Sequence, residues 1–201
     1  ADLAQRGEPL RLWQEASRQR QIDLLVNNAG FGARGRVDAV PLERQLAMVQ
    51  LNCSALLELT YLALQEMRAR RHGGIINVAS LAAYQPVPQL ATYAASKAFV
   101  LSFTEAAAAE NRAAGVRLLA LSPGRTPTEF QEVAGTGDAA GSFGARSPRA
   151  VVADGLRAFE KGKISVVPGM ENRLASVAGR LVPRRLLTGV LRPIVERAAM
   201  R

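Results

Sequence analysis

The 201-residue chain has one cysteine, Cys53, and one histidine, His72. A lone cysteine excludes an intramolecular disulfide framework and any cysteine-based zinc site, and one histidine cannot complete a metal cluster by itself. A reducing, cytoplasmic setting is the simplest reading. Aromatic residues make up only 5% of the chain, and no basic run is interleaved with stacking rings, which argues against nucleic acid as a partner despite a net charge of +9. Lysine is also scarce: Lys97, Lys161 and Lys163 are the three among 26 basic residues, so the arginine excess reads as a coding bias. Long apolar runs are missing too. The longest charge-free stretch, Gly73 to Ser96, is broken by Asn77, Ser80, Gln85, Pro86, Pro88 and Gln89, and cannot supply the ~20 consecutive apolar residues of a membrane helix. The first eight residues lack the apolar core of a secretory signal.

What is there has the composition of an ordinary globular domain, 48% apolar and 21% charged. One domain over 1–201 is expected. Between Met170 and Arg201 seven arginines stand against two glutamates, so residues 170–201 form a basic tail. Its arginine-bearing amphipathic helices, split by Pro183, read as a solvated face over the rest of the fold or a subunit contact in a homo-oligomer. Peripheral contact with a membrane surface is the lesser reading.

Periodicity supplies the elements. Residues 8–20 read as a helix, Ile22 to Val26 as a buried strand, and Pro41 to Arg70 as a long amphipathic helix. Ile75 to Ala79 reads as a second strand, Leu90 to Ala114 as an alanine-rich helix, and Val116 to Leu121 as a third strand closed by Ser122-Pro123-Gly124. Residues 129–147, with Gly135, Gly137, Gly141 and Gly144, read as a flexible loop near the substrate. A helix opened by Ser147-Pro148 and a strand over Ile164 to Val167 follow. Apolar strands alternating with helices predict a doubly wound parallel α/β sheet, Rossmann-like, covered on both faces. In such sheets ligands sit beyond the carboxyl ends of the strands.

The chemistry-bearing residues lie at those ends. Tyr93 and Lys97 are four apart on one helix and so share a face. A phenol with a pKa near 10 exchanges protons at neutral pH only if a nearby cation stabilises its phenolate, and Lys97 is placed to do so. Ser80 ends the preceding strand, where its hydroxyl reaches an oxygen held beside Tyr93.

These motifs, in this order, resemble the classical short-chain dehydrogenase/reductase family: Asn27-Asn28-Ala29-Gly30, Asn52 in the long helix, Ser80, Tyr93 with Lys97, and Pro123-Gly124 followed by Thr126 and Thr128. The resemblance implies an NAD(P)-dependent oxidoreductase that interconverts a small-molecule carbonyl and alcohol by hydride transfer, with NADP favoured over NAD. It implies Tyr93 as general acid/base, Ser80 orienting the oxygen, Lys97 lowering the tyrosine pKa and contacting the nicotinamide ribose, and Asn52 holding a relay water. Asn28, Ala29 and Gly30 would follow the adenosine half of the cofactor, Pro123, Gly124, Thr126 and Thr128 its nicotinamide and phosphates, and Asp2 the adenine.

One family feature has no counterpart here. No Gly-x-x-x-Gly-x-Gly turn, the family's pyrophosphate cradle, precedes Asn27, so the chain reads as N-terminally truncated by roughly sixty residues at ~30 per strand–helix unit. Other readings belong to other classes. A truncated remnant could act by surface interaction without catalysis, and Ser142, in Ala140-Gly141-Ser142-Phe143-Gly144, resembles a serine-hydrolase elbow that lacks its strand and helix. Cys53 has no base or cation beside it in sequence and reads as an inert core residue, with Asn52 alternatively a helix kink. His72 reads as a solvated residue near a helix C-terminus. Phe130 and Phe143 are candidate apolar walls for the substrate.

Overall fold

A computed structural model of the chain describes residues 1–136, 144–182 and 189. Helix α1 (Glu8–Ser17) leads to strand β1 (Leu24–Asn27). A long helical run follows: α2 (Leu42–Val49), a π-helical turn (Gln50–Ala55) and α3 (Leu56–Ala69). Strand β2 (Gly73–Val78), a 3-10 turn (Leu81–Tyr84), helix α4 (Ala91–Asn111) and strand β3 (Val116–Leu121) come next. The remaining elements are α5 (Phe130–Ala134), α6 (Pro148–Glu160), β4 (Ser165–Val166) and α7 (Met170–Leu181).

The four strands are parallel and lie in chain order, β1-β2-β3-β4. Register follows from the alternation of side chains: Leu25, Ile75 and Leu118 align on one face, while Val26, Ile76 and Leu119 align on the other. The first face packs on Leu59, Ala63 and Met67 of α3, on Ala107 and Ala108 of α4, and on Trp13 of α1. Trp13 satisfies its indole N–H by donating to Glu66 at 2.8 Å. The second face packs on Val151, Ala158 and Phe159 of α6. Because the strand order advances in one direction while α6 crosses on the opposite face from α3 and α4, the β3–α6–β4 connection has the opposite hand to the two before it.

Helices pack on both faces, as expected, but cover the second face only in part. Helix α6 reaches β2 and β3, and on its side of the sheet β1 leaves Leu24 40% and Val26 50% exposed. A second correction concerns residues 129–147, which begin with a helix. The glycine-free stretch ahead of Gly135 forms α5, and Gly135, at φ +68°, ends it in the left-handed conformation that glycine adopts without cost.

The expected helix from Pro41 to Arg70 is interrupted at its centre by the π-turn. As one run, Leu42–Ala69 is 28 residues long and, despite its charged residues, apolar enough to cross a bilayer by length and composition. Here Met48, Leu56, Leu59, Ala63 and Met67 are buried within the fold, the role of a core helix. The basic tail is described as far as Val182, and α7 reverses the usual polarity of a packed helix. Asn172 and Ser176 turn inward, while Met170, Leu174, Val177 and Leu181 form an exposed apolar stripe. The helix expected after Pro183, along with Ser142 and Phe143, lies outside the described residues.

Candidate active site

Helix α4 explains why a tyrosine and a lysine meet at the sheet end. Its buried residues, Tyr93, Ala94, Ser96, Lys97, Val100, Leu101, Thr104, Ala107, Ala108 and Asn111, recur at helical spacing and form one broad stripe against the sheet. From Val100 onward this stripe is largely core. Tyr93 and Lys97 continue it past the carboxyl ends of the strands, so both are buried without entering the apolar interior.

Burial pushes the Tyr93 phenol pKa up, and the nearby Ser80 hydroxyl opposes the shift. Ser80 itself is fixed by capping the 3-10 turn, its Oγ accepting from the Ala82 N–H at 3.1 Å. The Lys97 Nζ lies 6.0 Å from the Tyr93 ring centre and donates to the Val78 carbonyl at 2.7 Å. Burial lowers its pKa to about 8, with Cys53 acting in the opposite direction. Cys53 therefore has a cation near it in space that its sequence neighbours do not show. Burial still dominates and pushes the thiol up, which keeps it protonated.

Asn52 sits in the π-turn, where the wider helix carries its side chain out of the helical ladder. Its Nδ2 donates to the Phe31 carbonyl and to Ser96 Oγ, each at 3.0 Å, and its Oδ1 accepts from the Phe31 N–H at 3.1 Å. The side chain thus clamps both backbone groups of Phe31. Gly30 is held equally tightly: a Cβ there would stand 2.8 Å from Asn52 Oδ1 and 3.4 Å from Lys97 Nζ. The π-turn is the helix irregularity that one reading of Asn52 expected.

Beneath these groups runs a polar ladder that sequence patterning did not reveal. Asn27 Nδ2 donates to Asn77 Oδ1 at 2.9 Å and to Thr60 Oγ1 at 3.1 Å, and Asn77 Nδ2 donates to Thr104 Oγ1 at 3.0 Å. Asn27 and Asn77 are register partners on β1 and β2, so the pair is set by strand alignment.

The expected cofactor residues divide into two groups. Asn28 and Ala29 are exposed at the end of β1. Pro123 accepts from the Leu81 N–H at 2.8 Å, which ties the end of β3 to the segment after Ser80. Gly124 packs so closely on Asn172 that a Cβ would stand 2.5 Å from its Nδ2. Thr126 and Thr128 flank a turn closed by Gln131, whose Nε2 donates to the Thr126 carbonyl at 2.9 Å. Asp2 lies apart from this cluster in its bonding. Its carboxylate accepts from the Ala4 N–H and from Gln5 in a local turn. Asn172 and Gln131 are the positioning residues that motif reading missed, since an interior Asn or Gln has no spacing signature.

The short chain dehydrogenase family matches residues 1–138. The chain belongs to that family. The 2-dehydro-3-deoxy-D-gluconate 5-dehydrogenase of Bacillus subtilis (strain 168) is 40% identical over 114 residues, 57% of this chain and 45% of the relative. The serine 3-dehydrogenase of Rhizobium radiobacter is 38% identical over 113 residues, 55% of this chain and 45% of the relative. The chain spans about half the length of the curated relatives it matches. Among solved structures, a short chain dehydrogenase from Burkholderia cenocepacia J2315 in complex with NADP superposes with a TM-score of 0.78 at 27% identity, covering 95% of this chain and 76% of that one.

Among the described residues, Asn28 and Ala29 are exposed just beyond β1, and the buried Lys97 ammonium lies beside Gly30. A phosphate cradle is a different matter. Gly30, Gly32 and Gly35 carry the Gly-x-Gly-x-x-Gly spacing of a dinucleotide turn, yet α2 opens only at Leu42. Added Cβ atoms at these glycines would meet Asn52, Phe130 and Val40 respectively, so their smallness serves internal packing.

Proposed function

We propose that this short chain dehydrogenase interconverts a carbonyl and an alcohol with NADP or NAD, using Tyr93 as general acid/base. The observation that carries the reading is the buried Tyr93 phenol with the Lys97 ammonium 6.0 Å from its ring on the same helix face, near the Ser80 hydroxyl. When bound, the nicotinamide supplies or accepts the hydride. In the reductive direction the Tyr93 O–H gives its proton to the carbonyl oxygen, and the Ser80 hydroxyl, donating to the same oxygen, holds it there. A phenolate left in a buried site is costly, and the charge of Lys97 offsets that cost. With a pKa near 8, Lys97 remains mostly charged at neutral pH.

The groups that would hold the cofactor are Asn28, Ala29, Gly30, Lys97, Pro123, Gly124, Thr126 and Thr128. Asp2 is the weakest member of the set because its carboxylate is already engaged. The NADP complex of the Burkholderia relative supports NADP as the first dinucleotide to try. Phe130, with its ring centre 5.2 Å from that of Tyr93, offers an apolar wall, which favours a substrate whose carbonyl is flanked by an apolar group.

Titration with NADPH and NADH, followed by cofactor oxidation against a panel of aryl and alkyl ketones, tests this reading. Turnover that disappears in Tyr93→Phe while cofactor still binds supports it. Parental turnover retained in Tyr93→Phe sinks it.

A further inference from the structure

The segment after β3 folds back over Tyr93, and its placement is decided by contacts outside itself. Helix α5 has five residues, too few to be stable alone. Its first residue, Phe130, lies against the Tyr93 ring, and its last, Ala134, is buried. The carbonyls of its last turn lack intrahelical partners, as at any helix C-terminus, and the opposite wall of the site satisfies two of them. The Arg34 N–H donates to the Ala134 carbonyl at 2.9 Å, and the Arg44 guanidinium donates to the Val133 carbonyl at 2.6 Å.

Only the Arg44 bond is made by a side chain. That guanidinium also lies 5.6 Å over the Phe31 ring, and Phe31 is the residue whose backbone Asn52 clamps. A continuous line of contacts therefore runs from Asn52 through Phe31 and Arg44 to the end of α5. Gly32 completes the seat, since a Cβ there would stand 3.0 Å from Phe130, 3.2 Å from Ala134 and 3.4 Å from Tyr93.

We propose that Arg44 is a positioning residue that latches α5 over Tyr93 and so governs how firmly a substrate is held between Phe130 and the phenol. The substrate half of this statement rests on the role proposed for Tyr93; the latch itself does not. Opening the site requires α5 to leave Gly32, and the Arg44–Val133 bond is the contact that must break on the outer side. The latch acts on access and grip, not on proton transfer.

Hydrogen exchange of the ligand-free protein tests the latch without any turnover. The amides of Val133, Gly135 and Thr136 are bonded within the segment, to Glu129, Glu132 and Gln131, and report its opening. Arg44→Ala should speed their exchange about tenfold while β2 and β3 keep their protection. Arg44→Lys, which retains a donor on a shorter stem, should recover part of it. Gly32→Ala should loosen the same amides from the inner side with Arg44 intact, and it decides the matter if Arg44→Ala disturbs the whole fold. Unchanged exchange at residues 129–136 in both alanine variants overturns the proposal. In the kinetic arm, Arg44→Ala should raise KM severalfold with a smaller change in kcat, whereas a fall in kcat at constant KM overturns a positioning role. If Tyr93→Phe keeps full turnover, the proposed chemistry falls, and the exchange result still stands on its own.

Discussion

The Lys97 ammonium donates a hydrogen bond to the Val78 carbonyl at 2.7 Å from a position that is 5% exposed. One main-chain acceptor replaces only part of the lost hydration, so the charged form is disfavoured and the pKa falls to about 8. In the unfolded chain the same group titrates near ~10.4. The stability linked to this group is therefore present in full above that unfolded value and lost as pH falls through about 8. Between pH 8 and pH 10 the folded state should gain about 2 kcal/mol from this one residue. Urea unfolding of the parent and of Lys97→Met at both pH values measures it, because the variant lacks the titration. Parallel pH dependence in the two proteins would show that burial of the charge has been overestimated.

Tyr93→Phe removes the proton donor and preserves the ring that packs on Phe130, so stability should change little. Turnover in ketone reduction should fall by ~10²–10⁴, the usual contribution of general acid/base catalysis. Ser80→Ala should cost less, because it removes an orienting hydroxyl and leaves the proton in place. The two variants differ in a second way. Loss of Ser80 removes the hydroxyl that opposes the upward shift of the Tyr93 pKa, so the acidic limb of the pH profile in alcohol oxidation, where the phenolate is the base, should move to higher pH. A profile that stays put in Ser80→Ala means that the hydroxyl does not touch the phenol in the working enzyme.

The ladder below the site makes a prediction about stability alone. Asn77 is fully buried and bridges Asn27 to Thr104, so Asn77→Ala strands one donor on Asn27 and leaves Thr104 with one partner fewer. Each stranded buried group costs ~1–3 kcal/mol. Asn77→Ala should lower stability by about 3 kcal/mol, more than Ala substitution at the exposed Asn28. Denaturant midpoints compare them, and equal midpoints would mean that water enters the ladder and repairs it.

The features legible in sequence were those with a period or a spacing. The helical stripe of α4 was one, and it carried Tyr93 and Lys97 to the sheet end; the apolar run of β3 was another, matching Val116 to Leu121 residue for residue. The π-turn was legible only as an alternative kink at Asn52, because that residue differs from its helical neighbours only in a tertiary partner, Phe31, 21 residues away. Helix α5 was masked by the glycines that follow it. The Asn27–Asn77 pair depends on register between β1 and β2, which only the folded sheet defines. Arg44 resembles any exposed arginine until the carbonyl 89 residues downstream is placed beside it.

The last prediction concerns two apolar surfaces that α6 and the core leave open. Among the described residues β1 pairs only with β2, and the exposed Leu24 and Val26 border its unpaired edge. Such an edge presents backbone donors and acceptors to any other chain. The stripe on α7, with Leu174 67% and Leu181 78% exposed, offers contact area without backbone pairing. Both favour self-association of the 201-residue chain, but by different physics. Val26→Lys should suppress association that runs through the edge, since a charge there disfavours pairing, and Leu174→Lys should suppress association through α7. Neither should change stability by more than about 0.5 kcal/mol, because both sites are exposed. Sedimentation velocity over a range of concentrations separates the two. If the parent chain is monomeric throughout, the edge is already blunted by its shortness, four residues long, and the argument from exposed area fails.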